Sequence, residues 1–189
     1  HQHRYIRAVQ QQTIRDILDN RAITVVVQPS ELKAALDALP KPRLVVTDSQ
    51  AFKAVDAIVP KDIQLTSFSI LFARYKGELE TVAAGAEAIA RLKDGDTVLI
   101  SEGCTHHRQC NDIGSVKLPG WIGNYPGKKL NYEFTSGGEF PESLDKYALI
   151  VHCGGCMLNT REVRYRDALA RSQGVPMTNY GILIAHLKG

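Results

Sequence analysis

Outside two short windows, this 189-residue sequence has no cysteine. Cys104 and Cys110 share one window, and Cys153 and Cys156 the other. Scattered cysteines would read as core filler, whereas this clustering reads as a metal or iron–sulfur site. With no signal peptide expected, the four thiols point to a reducing, cytoplasmic setting rather than a disulfide scaffold. No apolar run approaches membrane-spanning length, so no membrane partner is expected. The net charge is only +3, split as +1 over residues 1–100 and +2 over 101–189, too small and too even to indicate nucleic acid. Nucleotide motifs are missing as well. Gly127-Lys128-Lys129 lacks the upstream glycine and the hydroxyl of a phosphate loop, and no Gly-x-Gly-x-x-Gly element follows a strand. Nor is there a Cys-x-x-x-Cys-x-x-Cys radical-cluster motif, an internal repeat or a low-complexity segment. This chain alone is not expected to hydrolyse a nucleotide.

What is present reads as a globular α/β protein, 44% hydrophobic and 23% charged. At this length the chain forms one domain or two small ones and buries roughly 70% of its unfolded surface. Ile14, Ile17 and Leu18 have helical spacing, and Asn20 ends that helix. The β-branched run Ile23–Val27 then suits a strand buried on both faces. Ser30 is positioned to cap a helix carrying Leu32, Ala35, Leu36 and Leu39, which Pro40 stops. Leu44–Thr47 is the next strand, Asp48-Ser49 caps a helix with Phe52, Val55 and Val59, and a short strand lies near Ile63–Leu65. Such βαβ units predict parallel sheets. Helices are expected over Ser67–Gly77 and about Glu78–Leu92, the second with an Ala-rich face for its own sheet or for another subunit. Strands at Thr97–Ser101, Tyr132–Thr135 and Ala148–Val151 follow, with helices at Arg161–Ser172 and Tyr180–Leu187 and a loop at Pro176–Asn179 between them. The expected architecture is two small Rossmann-like domains with mainly parallel sheets, divided near residue 100.

The chemistry concentrates in Cys104-Thr105-His106 and in His152-Cys153-Gly154-Gly155-Cys156, whose histidines are 46 positions apart. A Cys-x-x-Cys pair puts two soft thiolates within reach of one centre, and its two glycines permit a tight backbone. Both windows open where a predicted strand ends, the usual place for a ligand in an open α/β sheet. If those strands are neighbours, Cys104, Cys153 and Cys156 converge, leaving a fourth position to His106, His152, Cys110, Asp112 or Glu102. A [4Fe–4S] cluster tolerates one non-cysteine or exchangeable ligand. A closed Cys3His zinc site is the competing reading, and zinc modules usually use two short ligand pairs in a smaller domain. A redox Cys-x-x-Cys leaves Cys104 unexplained. For His106 and His152, orienting a ligand is as good a reading as being one. His107 and His186 read as solvated residues. Arg161, Arg164, Arg166 and Arg171 are most simply the solvated face of one helix, while Arg108 and Lys117 are near enough to steady an anion.

With these residues the sequence resembles the C-terminal two-thirds of HydF, the [FeFe]-hydrogenase maturation factor family. The resemblance rests on Cys104-Thr105-His106-His107, Asp112-Ile113-Gly114, His152-Cys153-Gly154-Gly155-Cys156-Met157 and Thr178-Asn179-Tyr180-Gly181. Upstream, Thr13–Asp19 and Thr66–Gly77 also match, so nearly the whole chain from about Thr13 is covered. The resemblance implies a dimerisation domain over residues 1–100 and an iron–sulfur cluster-binding domain over 101–189. The family's N-terminal GTPase domain, and with it GTP, is not expected in this sequence. It further implies a non-catalytic, homodimeric scaffold that binds an oxygen-sensitive [4Fe–4S] cluster. That scaffold receives a diiron precursor bearing CO, cyanide and dithiolate from the partner maturases HydE and HydG and delivers it to apo-[FeFe]-hydrogenase. Cys104, Cys153 and Cys156 match the family's cluster cysteines, and His106 and His152 its motif histidines. Cys110 is a departure, and as a ligand it would occupy the exchangeable fourth position.

Overall fold

The computed structural model describes residues 3–48, 51–75, 79–103, 117–125, 127–155 and 158–188. The chain divides into two compact units, 1–68 and 69–189. The first opens with α1 (His3–Asp19). Asn20 closes that helix by donating from its side chain to the Asp16 carbonyl at 2.8 Å. A 3-10 turn at Pro29–Glu31 leads into α2 (Leu32–Ala38). Glu31 accepts the Gln28 backbone N–H at 3.0 Å, so Ser30 lies inside the turn rather than at a cap. Two parallel strands, β1 (Leu44–Thr47) and β2 (Gln64–Ser67), pair with Leu44 opposite Gln64 and Thr47 opposite Ser67. Between them runs α3 (Phe52–Asp56). The core is thin: Leu32, Val55, Val59 and Ile63 are its buried residues.

One expectation fails here. Residues 22–28 form no strand, and Ile23 and Val26 are 94% and 71% exposed. An unbroken apolar run marks a segment that gains by being covered on both faces, but the covering layers must come from elsewhere in the fold. Among the described residues of this unit, none supplies them.

The second unit comprises α4 (Phe68–Tyr75, beginning at the boundary), α5 (Leu79–Ala86), a 3-10 turn at Glu87–Arg91, β3 (Thr97–Glu102), α6 (Leu118–Asn124), β4 (Asn131–Ser136), β5 (Tyr147–His152), α7 (Thr160–Ser172), β6 (Met177–Asn179) and α8 (Tyr180–Lys188). The strands form one parallel sheet in the order β4-β3-β5-β6. Side chains alternate across it, as the two-residue strand period demands. Val98, Ile100, Leu149 and Val151 face one core with Leu118, Ile122, Leu183 and Ile184. Leu99 and Ile150 face the other with Leu144, Ala170, Val175 and Met177. Both faces are covered, and the α/β class with parallel sheets is as expected. Two elements went unread. The three residues of β6 are too few for a periodic signal and follow Pro176, and α6 sits in a stretch rich in Gly and Pro.

The Ala-rich face of α5 is used within its own unit. Thr178 Oγ1 donates to the Val82 carbonyl at 2.7 Å, and a Cβ added at Gly85 would overlap the Met177 carbonyl. Residues 79–91, which the sequence places before the boundary near 100, therefore fold into the second unit. Gly85→Ala sets two effects against each other. Helix propensity favours alanine by about 1 kcal/mol, while overpacking typically costs about 1–3 kcal/mol and is worst against backbone that a sheet holds in place. Overpacking wins. Thermal unfolding of Gly85→Ala should show a lower Tm, by roughly 4–8 °C for a net loss of about 2 kcal/mol. No helix among the described residues is long and apolar enough to cross a membrane.

Candidate metal centre

β3 and β5 are adjacent, with Ser101 opposite His152, so the strands that precede the two ligand windows have neighbouring carboxyl ends. Cys153 continues the ladder one residue beyond β5 by donating its N–H to the Ser101 carbonyl at 2.9 Å. Its sulfur then accepts two backbone N–H groups, from Gly103 at 3.0 Å and from Gly155 at 3.4 Å. Both positions favour glycine. A Cβ on Gly103 would strike the Leu158 side chain at 2.6 Å, and Gly155 has φ +59°, the left-handed region that costs other L-residues roughly 1–2 kcal/mol. Leu158 donates its N–H to the Gly155 carbonyl at 3.1 Å. Gly154 is less constrained, since a Cβ there would make ordinary contact with Ser69 Oγ at 3.5 Å.

Two N–H dipoles aimed at one sulfur stabilise negative charge on it, as hydrogen bonds to cluster-ligating thiolates do. The donor chemistry at Cys153 therefore fits a soft metal centre. His152, the last residue of β5, is 4% exposed. Its Nδ1 lies 2.7 Å from the Cys153 carbonyl oxygen and its Nε2 lies 3.1 Å from Arg166 Nη1. Glu102, the last residue of β3, is also buried, and its Oε1 accepts the Tyr180 hydroxyl at 3.3 Å. Cys104, His106, Cys110, Asp112 and Cys156 lie outside the described residues, as do His107 and Arg108. Among the described residues, no three His, Cys, Asp or Glu side chains form a metal-binding group.

Arg166 is the residue that sequence reasoning misplaced. Rather than joining a solvated face of α7, its side chain is fully buried against the ends of β3 and β5. The signal was the helical phase. Val163, Arg166, Asp167 and Ala170 recur at the spacing of one face and are the buried residues of α7. Glu162, four residues earlier, provides the carboxylate that a buried guanidinium needs. Thr178-Asn179-Tyr180 also acquires a role. Thr178 holds α5, Asn179 Oδ1 accepts the Ile182 N–H at 2.9 Å to cap α8, and Tyr180 reaches Glu102.

Comparison with protein families finds two matches. Residues 2–77 match the model described as the hydrogen maturase F dimerization domain. Residues 80–189 match the hydrogen maturase F tetramerization domain. The junction between them falls near the boundary of the two compact units. Comparison with curated proteins finds no match.

Proposed function

This chain belongs to the hydrogen maturase F family of hydrogenase maturation, and from that premise we propose that it is a self-associating scaffold rather than a catalyst. In this reading the second unit binds a [4Fe–4S] cluster through Cys104, Cys153 and Cys156. The cluster's fourth position is taken by His106, His152, Cys110, Asp112, Glu102 or an external group. The cargo is a diiron precursor, received from HydE and HydG and passed to apo-[FeFe]-hydrogenase in the cytoplasm. The observation that carries the reading is the cradle at Cys153, where the sulfur just beyond the carboxyl end of β5 receives the Gly103 and Gly155 N–H groups.

When bound, the cluster would supply an iron whose fourth ligand can exchange for the cargo. The chain's own residues do the holding. Adjacent strands end just before the two windows, and the Gly103 and Gly155 N–H groups fix the orientation of the Cys153 sulfur. In the first unit, the exposed Ile23–Val27 run supports homodimer formation by offering apolar surface to a second copy.

Anaerobic reconstitution tests the cluster. With iron and sulfide, the chain should turn brown and retain about four iron and four sulfide per chain. A colourless protein that binds one zinc and no iron would favour a closed structural site. Retention of neither metal, with dithiol–disulfide cycling that survives Cys104→Ala, would favour a thiol redox protein.

A further inference from the structure

Arg166 occupies a position where a cation is costly unless fully partnered. Its Nε donates to Glu162 Oε1 at 2.7 Å, and Nη2 donates to the Gly137 carbonyl at 3.0 Å. Nη1 reaches Ser101 Oγ at 3.4 Å and His152 Nε2 at 3.1 Å. The guanidinium carbon lies 4.9 Å from the centre of the Phe140 ring. One side chain thus joins α7, the end of β3, the end of β5 and the turn after β4.

The consequence falls on His152. A guanidinium only donates, so the Nε2 facing it must accept and carries no proton. A carbonyl only accepts, so the Nδ1 facing the Cys153 oxygen carries the ring's proton. These assignments follow from the hydrogen-bond partners alone. Both nitrogens are engaged, and the ring's one available lone pair is aimed at Arg166. A histidine that ligates metal needs that lone pair free and uses its other nitrogen to fix its orientation.

We propose that Arg166 is a positioning residue of the metal centre: it commits His152 to holding the Cys153 carbonyl and removes His152 from the ligand set. The proposal deepens the cluster reading and rests on Cys153 being a ligand. It leaves the fourth position to His106, Cys110, Asp112, Glu102 or an external group. It also gives the adjacent His-Cys pair a division of labour, in which Cys153 offers its sulfur and His152 fixes the backbone beneath it.

Two measurements decide it, the first requiring no iron. Ring-nitrogen NMR of the 15N-labelled, metal-free chain, with His152 assigned by comparison with His152→Asn, should show a single tautomer protonated at Nδ1. Arg166→Met should lose that single-tautomer pattern, while Arg166→Lys, which keeps a donor, should retain it. An Nε2-protonated His152 in the wild type, or an unchanged pattern in Arg166→Met, would overturn the proposal. If Arg166→Met does not fold by circular dichroism, the wild-type and Arg166→Lys spectra decide. The second measurement is pulsed EPR of the chain loaded with iron and sulfide and then reduced. Any nitrogen coupling to the cluster should be the same in wild type and His152→Asn, and a coupling lost in His152→Asn would overturn the proposal. A chain that takes up no iron would sink the cluster reading, while the NMR would still report what Arg166 does to His152.

Discussion

Cys153→Ala should abolish iron and sulfide uptake while leaving the second unit folded. Residues that merely support a metal ligand typically cost about 10–100-fold in affinity when changed. Loss of a thiolate ligand should exceed that range, so reconstituted Cys153→Ala should retain only background iron. A stability cost accompanies this. The substitution leaves the N–H groups of the buried Gly103 and Gly155 without the sulfur as acceptor, at roughly 1–3 kcal/mol for each. Cys153 is only a partly buried neighbour of the first core, so the fully buried strands from Val98 to Val151 keep their contacts with Leu118, Ile122, Leu183 and Ile184. Circular dichroism and a thermal melt beside the iron assay separate the two effects. A variant that loses iron but keeps its melting transition supports a ligand role, and one that keeps its iron contradicts it.

The second large effect is expected in the first unit. Ile23→Asp combined with Val26→Asp should break the self-association of this unit at concentrations where the wild type is fully associated. In a two-fold dimer each substitution acts twice. Burying an Ile or Val side chain is worth about 1.5 kcal/mol or more, so four of them contribute roughly 6 kcal/mol. That corresponds to about a 10,000-fold rise in Kd, before any cost of placing carboxylates in the contact. The monomer should be little affected, since exposed substitutions usually stay within about 0.5 kcal/mol. Sedimentation velocity on the chain would show the assembly mass fall by half, leaving any association made by the second unit in place. An unchanged mass would place the self-association of this unit on another surface.

These two predictions stand differently toward the sequence. The strands that deliver the cysteines were legible because buried parallel strands are short, β-branched and bounded by turns, as Thr97–Ser101 and Ala148–Val151 are. Their adjacency is a property of sheet order, which periodicity does not contain, and the register of Ser101 against His152 supplies it. Ile23–Val27 gave the same local signal as those strands without forming one, because apolar patterning records a residue's demand for cover and not the partner that meets it. Arg166 failed in the opposite direction. A charged residue on a helix is read as solvated, and only the phase it shares with Val163 and Ala170, together with Glu162 one turn earlier, marks it as buried. The Gly103 and Gly155 contacts at the sulfur are long-range backbone geometry that a single sequence does not specify. Five of the candidate ligands, Cys104, His106, Cys110, Asp112 and Cys156, rest on their residue types and spacing.

The proposed centre is a three-thiolate cluster whose fourth position can exchange. EPR of the anaerobically reconstituted and reduced chain tests it most directly, with wild type compared against Cys110→Ala and His106→Ala, each with and without added cyanide. The reduced-cluster signal should persist in both variants and shift when cyanide is added. Loss of the signal in Cys110→Ala, with no cyanide shift in the wild type, would mean a closed all-cysteine site and would contradict it.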